Sequence, residues 1–215
     1  MQGAKIDVLD SIILKKQATP YGYIKLFAAC FTQAEVNHEL GKAANKGVNR
    51  IDDNFEIWSY ANYPLFYFPN QKKFMDPLHT HYRCPLVPDE ITGGKGIFCN
   101  IPPKGIVTGR LYKMRTITPL SVKQTHTNIS AGVSFDDNMD AKVDVSYSFT
   151  GYASADIRTA LATLTKDKEK DLIKEVVDFA EKREDITKYF ISNDAPENYY
   201  RNKPLIITAA VDAPH

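Results

Sequence analysis

The sequence predicts an α+β protein in two parts, residues 1–103 and 104–215. Three stretches carry that reading. One is an apolar-striped segment that starts at Thr19-Pro20. The second is an aromatic hairpin in "ANYPLFYFPNQKKFMDP" (61–77). The third is the alternating "AKVDVSYSFTGY" (141–152), with two helical patterns after it.

In the first part, Ile6, Leu9, Ile12 and Ile13 share a face and predict a short helix over residues 4–16. In "TPYGYIKLFAACFTQAEV" Thr19 is an N-cap and Pro20 the first helical residue, with Ile24, Phe27, Ala28 and Phe31 as the buried stripe. Residues 37–62 read as a strand and a long loop. The hairpin runs through Leu65-Phe66-Tyr67-Phe68, turns at Pro69-Asn70-Gln71 and returns through Lys72-Lys73-Phe74-Met75 to Asp76-Pro77. The prolines and glycines of 78–100 predict a wrapping loop.

Composition shifts near Pro102-Pro103. Beyond it, 107–120 and 122–135 alternate in part, and "DDNMD" is a turn. Val143, Val145, Tyr147 and Phe149 then share one strand face. A helix over about 154–164 and a second in "KDKEKDLIKEVVDFAEKR", striped by Leu172, Ile173, Val176, Val177 and Ala180, precede a final strand in "PLIITAAVDAPH".

The bulk numbers exclude some functions. With 27 basic and 26 acidic residues in 215, there is no basic excess to favour nucleic acid. No apolar run approaches the ~18 residues of a membrane span. The mixed-charge opening "MQGAKIDVLD" is unlike a signal peptide, which leaves a cytosolic chain or a piece of a longer exported precursor. The final strand stops without a polar tail and favours the piece, with the second part truncated at its C-terminus. Cys30, Cys84 and Cys99 show no CxxC spacing. One disulfide with a free thiol fits them, and three buried thiols fit better. Cys30 reads as helix core, Cys99 as packed beside Phe98, and His38 and His126 as exposed or strand-face positions. No cofactor motif is present, and His79-Thr80-His81 alone is too little for a metal site.

A helix facing a β-hairpin is the layout of a papain-like core. "TPYGYIKLFAACFTQAEV" resembles the core helix of bacterial transglutaminase-like proteins, and "ANYPLFYFPNQKKFMDPLHTHYRCPLVP" resembles their His-to-Asp hairpin and the loop after it. "DVSYSFTGYASADIRTAL" and "PLIITAAVDAPH" look like the segment that follows this core in a family of large bacterial proteins. These have an N-terminal domain of unknown function, a central transglutaminase-like domain and a C-terminal β domain. The resemblance implies a degenerate transglutaminase-like core, then a β-rich domain with an inserted helical pair. It also implies partners among the remaining domains of a parent chain, and the periplasm or cell envelope of a Gram-negative bacterium.

Carried over, the catalytic cysteine falls at Pro20 or Tyr21 and the histidine at Tyr63, and only Asp76 survives. An orienting carboxylate is idle without an imidazole. The resemblance therefore implies a pseudoenzyme acting as a scaffold or as a glycan- or peptide-binding module, with Tyr21, Tyr63, Trp58 and Asp76 lining the old cleft. Tyrosines that merely fill a vacated pocket are the plainer alternative, and a purely structural inter-domain linker is another. A third is a cysteine hydrolase or acyltransferase using Cys84 with His79 or His81, although Cys84 in "YRCPLVP" has no helix end to acidify it.

Overall fold

The computed structural model describes residues 7–48, 51, 60–79, 82, 86–100, 112–177, 185–195, 198 and 203–213. Helices and antiparallel sheets coexist, so the protein is α+β. It divides into two compact units, Met1–Pro119 and Leu120–His215. The boundary falls later than the expected Pro102-Pro103 because a strand at Lys113–Thr116 still pairs with the first sheet.

Unit 1 begins with α1 (Leu9–Lys15) and α2 (Pro20–Gln33). The Thr19 hydroxyl accepts from the Gly22 backbone N–H at 3.2 Å and Pro20 opens the helix, so the predicted cap and start are both present. Strands β1 (Glu39–Ala43), β2 (Tyr63–Phe68), β3 (Lys73–Met75), β4 (Lys95–Asn100) and β5 (Lys113–Thr116) form an antiparallel sheet in the order β3-β2-β1-β4-β5. The hairpin is β2–β3. The predicted wrapping loop instead supplies a 3₁₀ turn (Asp89–Ile91) and the inner strand β4.

Alternation along β2 divides the apolar residues between two faces. Leu65 and Tyr67 join Ala43, Phe74 and Phe98 on one face, closed by Val87, Ile91 and Ile117. Phe66 and Phe68 join Met75 and Leu40 on the other, under Ile24, Phe27, Ala28 and Phe31 of α2. The stripe of α2 is as predicted, but Cys30 falls outside it and is exposed, not core. His38 lies two residues before Leu40 and so shares its face. It is buried against Phe31 and Phe66, with Nδ1–H donating to the Val36 carbonyl at 2.8 Å. Cys99 is half-buried, its thiol donating to the Leu40 carbonyl at 3.4 Å.

A buried ion pair links the sheet's middle to its edge. Glu39 on β1 is 1 % exposed and takes two bonds from Arg115 on β5, at 2.6 Å from Nε and 2.7 Å from Nη2. The guanidinium also lies 4.1 Å from the centre of the Tyr67 ring. The hydrogen bond to Glu39 raises the Arg115 pKa further.

Unit 2 contains β6 (Thr127–Phe135), β7 (Ala141–Phe149), α3 (Gly151–Thr163), α4 (Lys166–Val177), β8 (Asp185–Ser192) and β9 (Leu205–Ala213). The sheet order is β6-β7-β9-β8, every pair antiparallel. Val145, Tyr147 and Phe149 of β7 and Leu205, Ile207 and Val211 of β9 pack with Ile173 and Val177 of α4. Gly151 adopts φ +59 where the chain turns from β7 into α3, and a β-carbon there would strike Thr125. Buried Arg158 donates from Nε to the Asn193 carbonyl (2.9 Å), from Nη2 to the Lys203 carbonyl (2.8 Å) and from Nη1 to the Ser154 hydroxyl (3.2 Å). It thereby ties α3 to the β8–β9 connection.

Candidate functional site

Asp76 follows β3 and is 1 % exposed. Its Oδ1 accepts from the backbone N–H of Leu78 at 2.7 Å and of His79 at 3.1 Å, an Asx-type turn that Pro77 helps to set. The same turn swings the His79 ring back, so that Nδ1 lies 2.8 Å from Asp76 Oδ2. The Tyr63 hydroxyl donates to that oxygen, also at 2.8 Å, and lies 2.9 Å from His79 Nδ1. A phenol has one proton, and here it goes to the carboxylate. The ring proton of His79 therefore sits on Nδ1, shared between Asp76 and the Tyr63 oxygen.

The rings of Tyr63 and His79 stack at 5.9 Å and 22°, and Tyr82 meets His79 edge-on at 6.2 Å. The His79 side chain is 45 % exposed above the buried carboxylate. Burial, then the hydrogen bond and charge of Asp76, hold the Tyr63 phenol well above the ordinary tyrosine pKa. Tyr63 is a neutral hydrogen-bond donor at physiological pH, neither nucleophile nor base.

Asp76 is thus not idle. It holds the imidazole of His79, three residues on, as an orienting carboxylate holds a general base. The position carried over for the histidine, Tyr63, holds no imidazole, but the next turn supplies one. The signal was in "DPLH": an aspartate before proline favours an Asx turn, and such a turn brings the third residue's side chain back to the carboxylate. Candidates Cys84, His81 and Trp58 lie outside the described residues.

The sheet separates this cluster from α2. Tyr63 shares the face of Leu65 and Tyr67, whereas α2 packs on the face of Phe66 and Phe68. Tyr21, expected beside Tyr63 and Asp76, is instead 63 % exposed on α2, with the Lys25 ammonium 5.3 Å from its ring centre. The structure brings together Tyr63, Asp76 and His79, without Tyr21.

The N-terminus of α2 has another occupant. Asp7 accepts from the Thr19 backbone N–H at 3.2 Å and the Thr19 hydroxyl at 2.7 Å, and Lys25 Nζ reaches the Asp7 carbonyl at 3.2 Å. Gly22 leaves the space into which Asp7 Oδ1 projects. The helix end that favours an anion holds the chain's own carboxylate.

Elsewhere, one hollow of about 290 Å³ is bordered by Lys46, Thr92, Gly93 and Lys95 in unit 1. Another of about 310 Å³ lies on the outer sheet face of unit 2, beside Ser130, Asp144, Lys188 and Phe190. Among the described residues no group of three His, Cys, Asp or Glu side chains is placed to hold a metal ion, and no helix is long and apolar enough to cross a membrane. No family model, curated protein or solved structure matches the chain.

Proposed function

We propose that the chain is a non-catalytic module of the transglutaminase-like type within a longer exported bacterial protein, where it works as a scaffold and presents a glycan- or peptide-binding surface. The observation that supports a binding surface is the Tyr63–Asp76–His79 cluster on the face away from α2. The transglutaminase-like type rests on the sequence resemblance alone, because Tyr63 and Asp76 do not meet the α2 N-terminus as that resemblance implies. A carboxylate so placed cannot serve a nucleophile at the α2 N-terminus, and that end carries Pro20, Tyr21 and the Asp7 carboxylate. What the cluster does offer is aromatic surface: the Tyr63 and His79 rings stack beside the Asp76 carboxylate and Tyr82 meets His79 edge-on, an arrangement suited to sugar faces and extended peptides. The test is a glycan and peptide array followed by NMR titration of the full chain. Ligand-induced shifts at Tyr63 and His79 that vanish in His79→Ala support the reading. Shifts confined to other residues overturn it.

The Asp76–His79 bond favours one alternative, a cysteine hydrolase or acyltransferase in which His79 serves Cys84. That reading requires fast iodoacetamide labelling of Cys84 near neutral pH, slowed in His79→Ala. Labelling at the rate of a buried thiol excludes it.

A further inference from the structure

Strand β6 is an edge strand without the usual protection. All nine of its residues are exposed, and "TNISAGVSF" contains no charge and no proline. Its pairing with β7 runs from Thr127 to Phe135 without a bulge. The opposite edge, β8, carries Asp185 and Lys188 and has an irregularity between Ile186 and Lys188. Natural sheets blunt exposed edges with charges, prolines and bulges, and here only one edge has them.

The register with β7 sets Ile129 beside Tyr147 and Val133 beside Val143, so these side chains lie on the helix-covered face. There Ile129, Val133 and Phe135 are 56 %, 59 % and 62 % exposed, an apolar row continuing the core beyond the helices.

We infer that β6 pairs antiparallel with β6 of a second copy of this chain, about a two-fold axis at Ala131, joining two four-stranded sheets into one of eight. The strand is self-complementary in that register. Ile129 faces Val133 of the second copy, Asn128 faces its Ser134, and Ser130 faces its Gly132. Just past the strand ends, exposed His126 faces Asp136 of the second copy, so each end of the seam is closed by a pair of polar side chains. A two-fold axis perpendicular to the sheet keeps both helix layers on one side, and the two apolar rows merge between them. An extended segment of another protein would need no such symmetry, and the match of the strand to itself selects a second copy.

The experiment uses the full chain in a Cys30→Ser background, since Cys30 is exposed. Sedimentation velocity is run across the micromolar range on this protein and on Val133→Lys. Ala131→Cys is oxidised in parallel. A dimer whose Kd rises about a hundredfold or more in Val133→Lys is expected, because a lysine is brought into the apolar seam from each copy. Ala131→Cys is expected to cross-link to itself, since only the residue on the axis meets its own copy, whereas Ser130→Cys is not. Both sites are exposed, so circular dichroism confirms that folding is intact. A chain that stays monomeric throughout overturns the proposal. So does a dimer indifferent to Val133→Lys, which places the interface elsewhere. Cross-linking at Ser130→Cys instead overturns the register.

Discussion

The hydroxyl of Tyr63 and the carboxylate of Asp76 lie 2.8 Å apart across the mouth of the β2–β3 hairpin, the phenol donating and the buried carboxylate accepting. The bond closes the end of the hairpin away from its turn. Tyr63→Phe keeps the ring and removes the donor. A hydrogen bond to a charged, buried acceptor is worth about 1.5–3 kcal/mol, and unit 1 should lose that much in urea denaturation. A loss under about 0.5 kcal/mol would show that Leu78, His79 and solvent satisfy Asp76 unaided.

The same phenol makes the protein sensitive to alkali. Its pKa in the fold is raised above the unfolded value of about 10. Above pH 10 the unfolded chain therefore releases this proton while the folded chain keeps it. The stability contributed is complete below about pH 10 and declines as pH rises beyond it. Tyr189, raised by burial and then by its bond to Glu169, acts in the same direction in unit 2. Melting curves of the native protein and Tyr63→Phe should converge as the solution is made alkaline. A constant gap between them from pH 8 to pH 11 contradicts the assignment.

Glu39 and Arg115 should behave as a pair that is costly to break and cheap to replace. Among the described residues, Arg115→Met leaves a carboxylate 1 % exposed with Lys113, at 3.8 Å, as its remaining ion-pair partner, and should cost about 3–5 kcal/mol. Changing Glu39→Leu together with Arg115→Met should recover most of that loss, because no charge is then left buried. A double mutant as unstable as the single one means that the loss lies in packing against Tyr67 rather than in charge.

Gly22 lies within α2, where alanine ordinarily gains about 1 kcal/mol. Here a β-carbon would occupy the place of Asp7 Oδ1 and press on Ala18, so Gly22→Ala should destabilise instead. Asp7→Asn should weaken the same clasp without a clash, by about 0.5–1 kcal/mol from the helix end. Thermal melts of the two variants settle the sign. A stabilised Gly22→Ala means that the Asp7 segment moves aside freely.

Arg158→Met should strip two carbonyls, Asn193 and Lys203, of their donor and cost about 2–4 kcal/mol. Hydrogen exchange should then quicken along the β8–β9 connection before it does in β7. Exchange that quickens evenly throughout unit 2 would remove Arg158's claim to a local role.

What could be read from the chain was local. Thr19-Pro20 announced α2, and the alternation of Val143, Val145, Tyr147 and Phe149 announced β7, because caps and period-two patterns need no knowledge of distant neighbours. Strand β8 escaped because the irregularity at Ile186/Lys188 breaks its alternation. Strand β4 escaped because Gly96 resembles a loop residue. It is glycine because a β-carbon there would strike the Phe98 ring. Asp76 and His79 were each legible as candidates, but their pairing was not, since the ring is brought back by a turn and not by the neighbouring strand. The burial of His38 and the exposure of Cys30 both depend on which side of α2 meets the sheet, and that is a tertiary matter.

Strand β9 comes last in sequence yet lies second from the edge, between β7 and β8. A ribosome delivers the β6–β7 hairpin and both helices well before the strand that joins them to β8. Until then β7 has a bare inner edge, and Val145, Tyr147 and Phe149 lack Leu205, Ile207 and Val211. Unit 2 must therefore fold after its own synthesis, through contacts distant in sequence, and slowly. A nascent or prematurely terminated product would present the edge of β7 bare as well as that of β6, a state inviting capture by chaperones or by its own kind.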